Sequence, residues 1–287
     1  MPGMPTIALM SQAVDFIEDH LKQAVTVADM AEAVSYSLYY FCRVFSQTTR
    51  HTPYDYLMRR RLSEAARELL ESDKLILDVA LDYQFNNPET FSRAFKRMFA
   101  TQPSQLRKQG WVDVRWLMPR LSRGYLEHIN QGATLKPELV ERTAFQVAGV
   151  MTLVREDRAA VGELWRLFAR QLACREGRTG WGDYYGLTCY PEAWQGEGVL
   201  YMAAVEVTVP DAVDPTWVVK TVPASRYARF THHGSRRALQ WTLDYVYHTW
   251  LPKSGECMAY PLILERYGQA FPRRDDVGSE WRIDVPI

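Results

Sequence analysis

Two arginines, Arg43 and Arg93, stand fifty residues apart in the same setting, Phe-x-Arg-x-Phe. A guanidinium is a flat fork of donors, and in the DNA major groove that fork matches O6 and N7 of guanine. Each arginine belongs to a polar stripe at helical spacing. Tyr39, Cys42, Arg43 and Ser46 form one, and Glu89, Ser92, Arg93 and Lys96 the other, both at i, i+3, i+4, i+7. Neighbouring basic residues would meet phosphates and set the register. The same stripes are also what two solvated helix faces look like.

Charge separates the readings only by its distribution. The 287 residues carry 34 Lys+Arg and 34 Asp+Glu, a balance that argues against a uniformly basic nucleic-acid binder. Residues 1–42 hold one Lys and five acids, yet 43–61 hold Arg43, Arg50, Arg59, Arg60 and Arg61 against Asp55 alone. Residues 90–110 hold Arg93, Lys96, Arg97, Arg107 and Lys108 with no acid. Two basic clusters thus lie in an otherwise acidic third of the chain.

The elements that position them repeat. Asp29, Ala31 and Tyr36 return as Asp78, Ala80 and Phe85, an offset of 49. Phe41, Arg43, Phe45 and Pro53 return as Phe91, Arg93, Phe95 and Pro103, an offset of 50. The slip falls in the turn between two helices, where insertion is tolerated. Each copy is a helix-turn-helix, with Thr26 placed to cap the first. The second helices bury Leu38, Phe41 and Phe45, and Phe91, Ala94, Phe95, Met98 and Phe99. Between the copies a helix of roughly 19 residues carries Leu57, Leu62, Ala65, Leu69 and Leu70 on one face. At 1.5 Å per residue it spans about 28 Å, close to the ~34 Å between successive major-groove segments. One chain could then bind an asymmetric site as a monomer.

The tandem pattern Ala31…Tyr36…Phe41-x-Arg43-x-Phe45…Pro53 and Ala80…Phe85…Phe91-x-Arg93-x-Phe95…Pro103 resembles the AraC/XylS transcriptional regulators. The resemblance covers residues 6–110. It implies double-stranded promoter DNA as a partner, with RNA polymerase beside it, and activation rather than repression. It also implies that Tyr39, Cys42, Arg43 and Gln47, with Glu89, Thr90, Ser92, Arg93 and Lys96, face the DNA. Where the family has glycine in a left-handed turn, this chain has Ser35 and Gln84, an expected cost of ~1 kcal/mol each. An enzyme class that joins such a domain to DNA alkyl repair needs a reactive Pro-Cys-His-Arg segment, and none of Cys42, Cys174, Cys189 and Cys257 lies in one.

From about residue 137 the pattern turns to strands broken by two helices, near 159–173 and 235–251. The order strand, helix, strands, then strands, helix, strands suggests two copies of one α+β unit sharing a sheet. Seven of the nine tryptophans lie here. Two acids sit among apolar residues. Glu206 shares a strand face with Leu200, Met202 and Ala204, while Tyr201, Ala203 and Val205 occupy the other, so Glu206 points at something buried. Glu265 shares a face with Ile263 and Tyr267. A lone buried carboxylate is costly without a partner. That partner is an internal Arg or Tyr, a bound cation, or a substrate in acid–base chemistry.

Trp165, Tyr185-Gly186, the strand around Glu206, residues 222–234 and 250–255, Glu265-x-Tyr267 and Val285-Pro286-Ile287 resemble the GyrI-like small-molecule-binding domain. The match runs over 137–287, with 111–136 as the connection. An AraC-type domain followed by this one resembles the Rob-like regulators. The implied fold is an all-α tandem helix-turn-helix domain followed by an α+β domain with pseudo-twofold strand-helix-strand-strand repeats. The implied ligand site holds lipophilic, often cationic compounds against Glu265, Tyr267, Glu206, Trp165 and Tyr185. Some relatives hydrolyse electrophiles through a glutamate, which keeps a hydrolase open as an alternative, beside a regulator whose sensor no longer works. Neither a catalytic residue nor a cofactor is assigned. His232, His233 and His248 lack a companion at metal-ligand spacing, so no metal is expected. No stretch approaches the ~18 apolar residues of a membrane span, and without signal-peptide or disulfide patterns the cytoplasm is the expected location.

Overall fold

A computed structural model describes residues 3–131, 135–155, 159–173, 181–190, 198–208, 213–269 and 280–287. The chain divides into two units, Met1–Gly132 with Gln240–Gly255, and Ala133–Leu239 with Glu256–Ile287. Residues 240–255 therefore fold with the first unit, although the sequence reading runs the second domain unbroken over 137–287.

The first unit is helical. It contains α1 (Met4–Asp19), α2 (Val27–Glu32), α3 (Leu38–Thr49), α4 (Pro53–Glu71), α5 (Ile76–Asp82), α6 (Pro88–Phe99), α7 (Pro103–Gln109) and α8 (Arg123–Asn130). Local chemistry sets the ends. Thr26 and Asp29 close a capping box on α2, the Thr52 hydroxyl caps α4, and Asn87 caps α6 by accepting from the Thr90 N–H at 2.7 Å. The repeat is visible in the backbone. Ser35 (φ 56°) and Gln84 (φ 66°) both take the left-handed conformation that the missing glycines would have taken. Arg50 (φ 67°) and Ala100 (φ 54°) do so again after α3 and α6.

Phe41 and Phe45 bury the inner face of α3, and Phe91, Phe95 and Phe99 that of α6. Leu38 departs from expectation: it is 50% exposed, because as the first residue of α3 it overhangs the end of the core. Segment 111–136 is more than a connection, since α8 packs on α1 and α3. A helical run from α10 (Leu239–Tyr245) through a π-helical turn (Val246–Trp250) to α11 (Leu251–Ser254) completes the unit.

The second unit is one antiparallel sheet of β1 (Glu138–Arg142), β2 (Phe145–Val154), β3 (Trp181–Cys189), β4 (Val199–Val207), β5 (Val218–Val222), β6 (Ser225–His233), β7 (Leu262–Gly268) and β8 (Glu280–Pro286). Their order is β1-β6-β8-β7-β3-β4-β2-β5. The inner six read the same from both edges: β6-β8-β7 mirrors β2-β4-β3, and a pseudo-twofold passes between β7 and β3. The α9 helix (Ala159–Ala173) buries Leu164, Trp165 and Phe168 against Tyr201, Ala203 and Val205 of β4. Met202 and Ala204 face the other way, packing with Tyr185 and Leu187.

Candidate functional site

The α3 and α6 helices carry their polar stripes outward. Tyr39 is 81% exposed, Arg43 and Gln47 are exposed, and Cys42 is half-buried. On α6, Glu89, Thr90, Arg93 and Lys96 are exposed and Ser92 is half-buried. Arg43 lies 5.3 Å from the Tyr40 ring centre, which steadies the guanidinium without using its donors. The α4 helix between the two has 19 residues, a length of about 28 Å.

The first basic cluster is not one surface. Arg60 and Arg61 are each only 5% exposed. Arg60 forms a bidentate pair with Glu18, both bonds 2.8 Å, and donates to the Met118 carbonyl at 2.6 Å. Arg61 donates to the carbonyls of Leu21 and Gln23. These two arginines tie α4 to α1 and to the chain before α8, leaving Arg43 and Arg50 on the surface with Arg59 half-buried. Composition alone could not sort them, because a buried arginine with carbonyl partners looks like any other in the sequence.

The end of α3 is held from two sides. Asn130 of α8 donates to the Thr48 carbonyl at 2.8 Å. Lys253 donates to the Arg50 carbonyl. His51 bonds Asp55 at 3.0 Å and the Thr249 hydroxyl at 3.1 Å. Burial pushes the His51 imidazole below its usual range and outweighs Asp55. Burial alone would raise Asp55, but the bonds from His51 and Arg59 hold it at about 2.

In the second unit the five expected ligand residues fall into two groups on opposite faces of the sheet. Glu265, Tyr267 and Trp165 meet on one. Glu265 is 2% exposed. It accepts from the Tyr201 hydroxyl at 3.0 Å and from the Tyr267 hydroxyl, and the Arg236 guanidinium lies 3.7 Å away. The Tyr201 hydroxyl also accepts from Trp165 Nε1 (3.2 Å) and Arg236 (3.1 Å). Trp165 and Tyr267 stand edge to face, 5.3 Å between ring centres. Gly186 makes this possible. In register it lies between Ala203 of β4 and Glu265 of β7, and a β-carbon there would overlap the Tyr201 hydroxyl. Burial and the Glu265 charge drive both phenols well above their usual range, so they act as donors. Burial alone would weaken Arg236's hold on its proton, but Tyr267, Tyr201 and Glu265 outweigh it and keep the group charged.

Glu206 and Tyr185 lie on the other face. Glu206 does not point into an apolar interior: its side chain is 27% exposed, near the end of β4. It is 3.3 Å from Arg142, which also donates to Tyr185 at 2.6 Å. Burial pushes Tyr185 up to about 12 despite that arginine. Sequence reasoning missed Arg142, Tyr201 and Arg236. Strand alternation already set Tyr201 against Glu206, but only the order β4-β3-β7 brings it to Glu265. Among the described residues, no helix is long and apolar enough to cross a membrane, and no three metal-ligand side chains cluster.

The helix-turn-helix domain family matches residues 30–109, and the GyrI-like small-molecule-binding domain matches residues 135–285. The chain belongs to the AraC-type helix-turn-helix regulators that carry a C-terminal GyrI-like domain. It is 40% identical over 93 residues to the transposon Tn10 TetD protein of Escherichia coli, covering 32% of this chain and 67% of that one. It is 35% identical over 109 residues to the right origin-binding protein of Escherichia coli K12, 38% of each chain. It is 34% identical over 99 residues to the regulatory protein SoxS of Escherichia coli K12, 34% of this chain and 92% of that one.

Proposed function

We propose that this protein is a sequence-specific transcriptional activator whose GyrI-like domain binds lipophilic cations. The observation that carries the DNA reading is the pair of exposed stripes on α3 and α6, joined by a helix about 28 Å long. Arg43 and Arg93 read bases, with Tyr39, Cys42, Gln47, Glu89, Thr90, Ser92 and Lys96 around them. The chain binds as a monomer at a promoter and meets RNA polymerase there, in the cytoplasm. Residues 6–110 are the DNA-binding domain and 137–287 the effector domain, apart from 240–255, which fold with the first unit.

The ligand reading rests on Glu265, a buried carboxylate walled by Trp165 and Tyr267. Aromatic faces and a carboxylate together attract a desolvated cation. A carboxylate oxygen that already accepts hydrogen bonds from two phenols has its lone pairs occupied and is poorly placed to orient an attacking water, which supports a binding domain over a hydrolase. Selection of binding sites from random oligonucleotides tests the first claim; an even spread of sequences would sink it. A thermal-shift screen of lipophilic cations, with mass spectrometry of each hit, tests the second. Binding without product is expected, and product formation would restore the hydrolase.

A further inference from the structure

Arg236 occupies the place where a cationic ligand would sit. Its guanidinium carbon is 5.3 Å from the Tyr267 ring centre and 5.7 Å from that of Trp165. Its Nη1 is 3.7 Å from Glu265 Oε2 and donates to the Tyr201 hydroxyl at 3.1 Å. Two aromatic faces and one buried carboxylate around a single positive charge are the elements of a cation cage. In this fold the chain's own arginine fills it.

The placement has a local cause. Arg236 opens the short turn Arg236–Ala238 that precedes α10, while the acid and its aromatic neighbours come from β7, β4 and α9. The arginine side chain is long and flexible, so its head can leave while its backbone stays. Glu265 cannot leave: it is 2% exposed, on a strand paired on both sides.

Resting on the ligand reading above, we propose that Arg236 is a tethered occupant of the cation subsite. A lipophilic cation binds by displacing it. The subsite is neutral at rest, and the only ligands admitted are those whose charge and aromatic contacts outbid a covalently held guanidinium. Arg236 thereby sets the affinity threshold and excludes small hydrated cations, which gain little from the rings.

The test is calorimetric titration of the full chain with tetraphenylphosphonium and with its isosteric anion tetraphenylborate. Arg236→Met keeps the apolar stem without the charge, and Arg236→Gln is a second neutral variant should the first not fold. Tetraphenylphosphonium should bind either neutral variant about tenfold or more tightly than the parent, a change of about 1.4 kcal/mol. Tetraphenylborate should gain nothing. If the parent binds the cation, Glu265→Gln loses it, and the neutral variants show no gain, the cation site stands and the displacement idea falls. If the parent prefers tetraphenylborate and the neutral variants lose it, Arg236 is an anion-recognition residue and the proposal is wrong. If neither probe binds any variant, the cation-binding reading itself falls and takes this proposal with it.

Discussion

Arg236 and Glu265 form a close ion pair, 3.7 Å apart, although 29 residues and a helical run separate them in the chain. The pair makes the carboxylate's structural weight measurable. Glu265→Gln keeps the shape and one acceptor but strands the guanidinium. Removing one partner of a buried pair costs about 3–5 kcal/mol, less here because the arginine retains some exposure. A melting temperature several degrees below the parent's is expected in the ligand-free protein. Glu206→Gln, on a half-exposed acid, should move it much less. An unchanged melting temperature for Glu265→Gln would show that Arg236 does not depend on that charge.

That pair also marks what the sequence can and cannot carry. The tandem helix-turn-helix is legible because each helix announces itself with apolar residues at helical spacing, and Phe41, Phe45, Phe91 and Phe95 fall where the pattern puts them. Alternation gives the face of Tyr201 and of Glu265 but not their neighbours. Tyr201 reaches Glu265 only because β3 lies between β4 and β7 and offers Gly186 at the crossing. The same limit applies to Arg60 and Arg61, whose burial depends on carbonyls and a carboxylate brought from α1 and the chain beyond α7.

Gly186 should accept no side chain. An alanine β-carbon would overlap the Tyr201 hydroxyl and lie 3.0 Å from Glu265 Oε2. Tyr201 is held by Glu265, Trp165 and Arg236, so it cannot give way cheaply. Overpacking of this kind costs about 1–3 kcal/mol. Gly186→Ala should lower the urea midpoint of the protein and weaken cation binding together. Full cation affinity in a stable Gly186→Ala protein would show that Tyr201 is free to move.

The two left-handed turns offer a stability gain of unequal size. Ser35→Gly removes a strained side chain that is exposed. A gain of about 0.5–1 kcal/mol is expected, since glycine takes positive φ without a steric cost. Gln84→Gly relieves the same strain but loses the Gln84 Nε2 bond to the Lys22 carbonyl, 2.8 Å long. Its gain should be smaller or absent. Denaturant curves of the two single variants give the comparison, and a larger gain at position 84 would contradict the reading.

The first unit should be acid-labile. His248 is 5% exposed, and burial, with Arg59, His51 and Arg60 nearby, pushes its imidazole down to about 3. His51 is shifted the same way. An unfolded histidine titrates near 6.5. Between that pH and the folded value the unfolded state binds more protons, so stability falls as pH falls. The slope for each such histidine is about 1.4 kcal/mol per pH unit. The urea midpoint should therefore drop steadily from pH 6.5 to 4, and His248→Gln should flatten the slope. A midpoint that stays level over that range would mean that the folded state takes up the proton after all.

Arg60 and Arg93, both from the basic clusters, should behave in opposite ways. Arg93 is exposed on α6. Arg93→Ala should leave stability within about 0.5 kcal/mol yet cost about 1–3 kcal/mol of affinity on a selected DNA site. Arg43→Ala on α3 should act alike, with a smaller effect if Tyr40 already holds part of its charge. Arg60 is buried in a bidentate pair with Glu18. Arg60→Met leaves that carboxylate uncompensated and the Met118 carbonyl without its donor, and about 3–5 kcal/mol of stability should go with it. Any fall in DNA affinity should then track unfolding and vanish at low temperature, where the variant is folded. Melting curves and gel shifts on the same three variants separate the roles. A stable Arg60→Met protein that fails to bind DNA would place Arg60 in the interface, and a stable Arg93→Ala protein with full affinity would remove Arg93 from it.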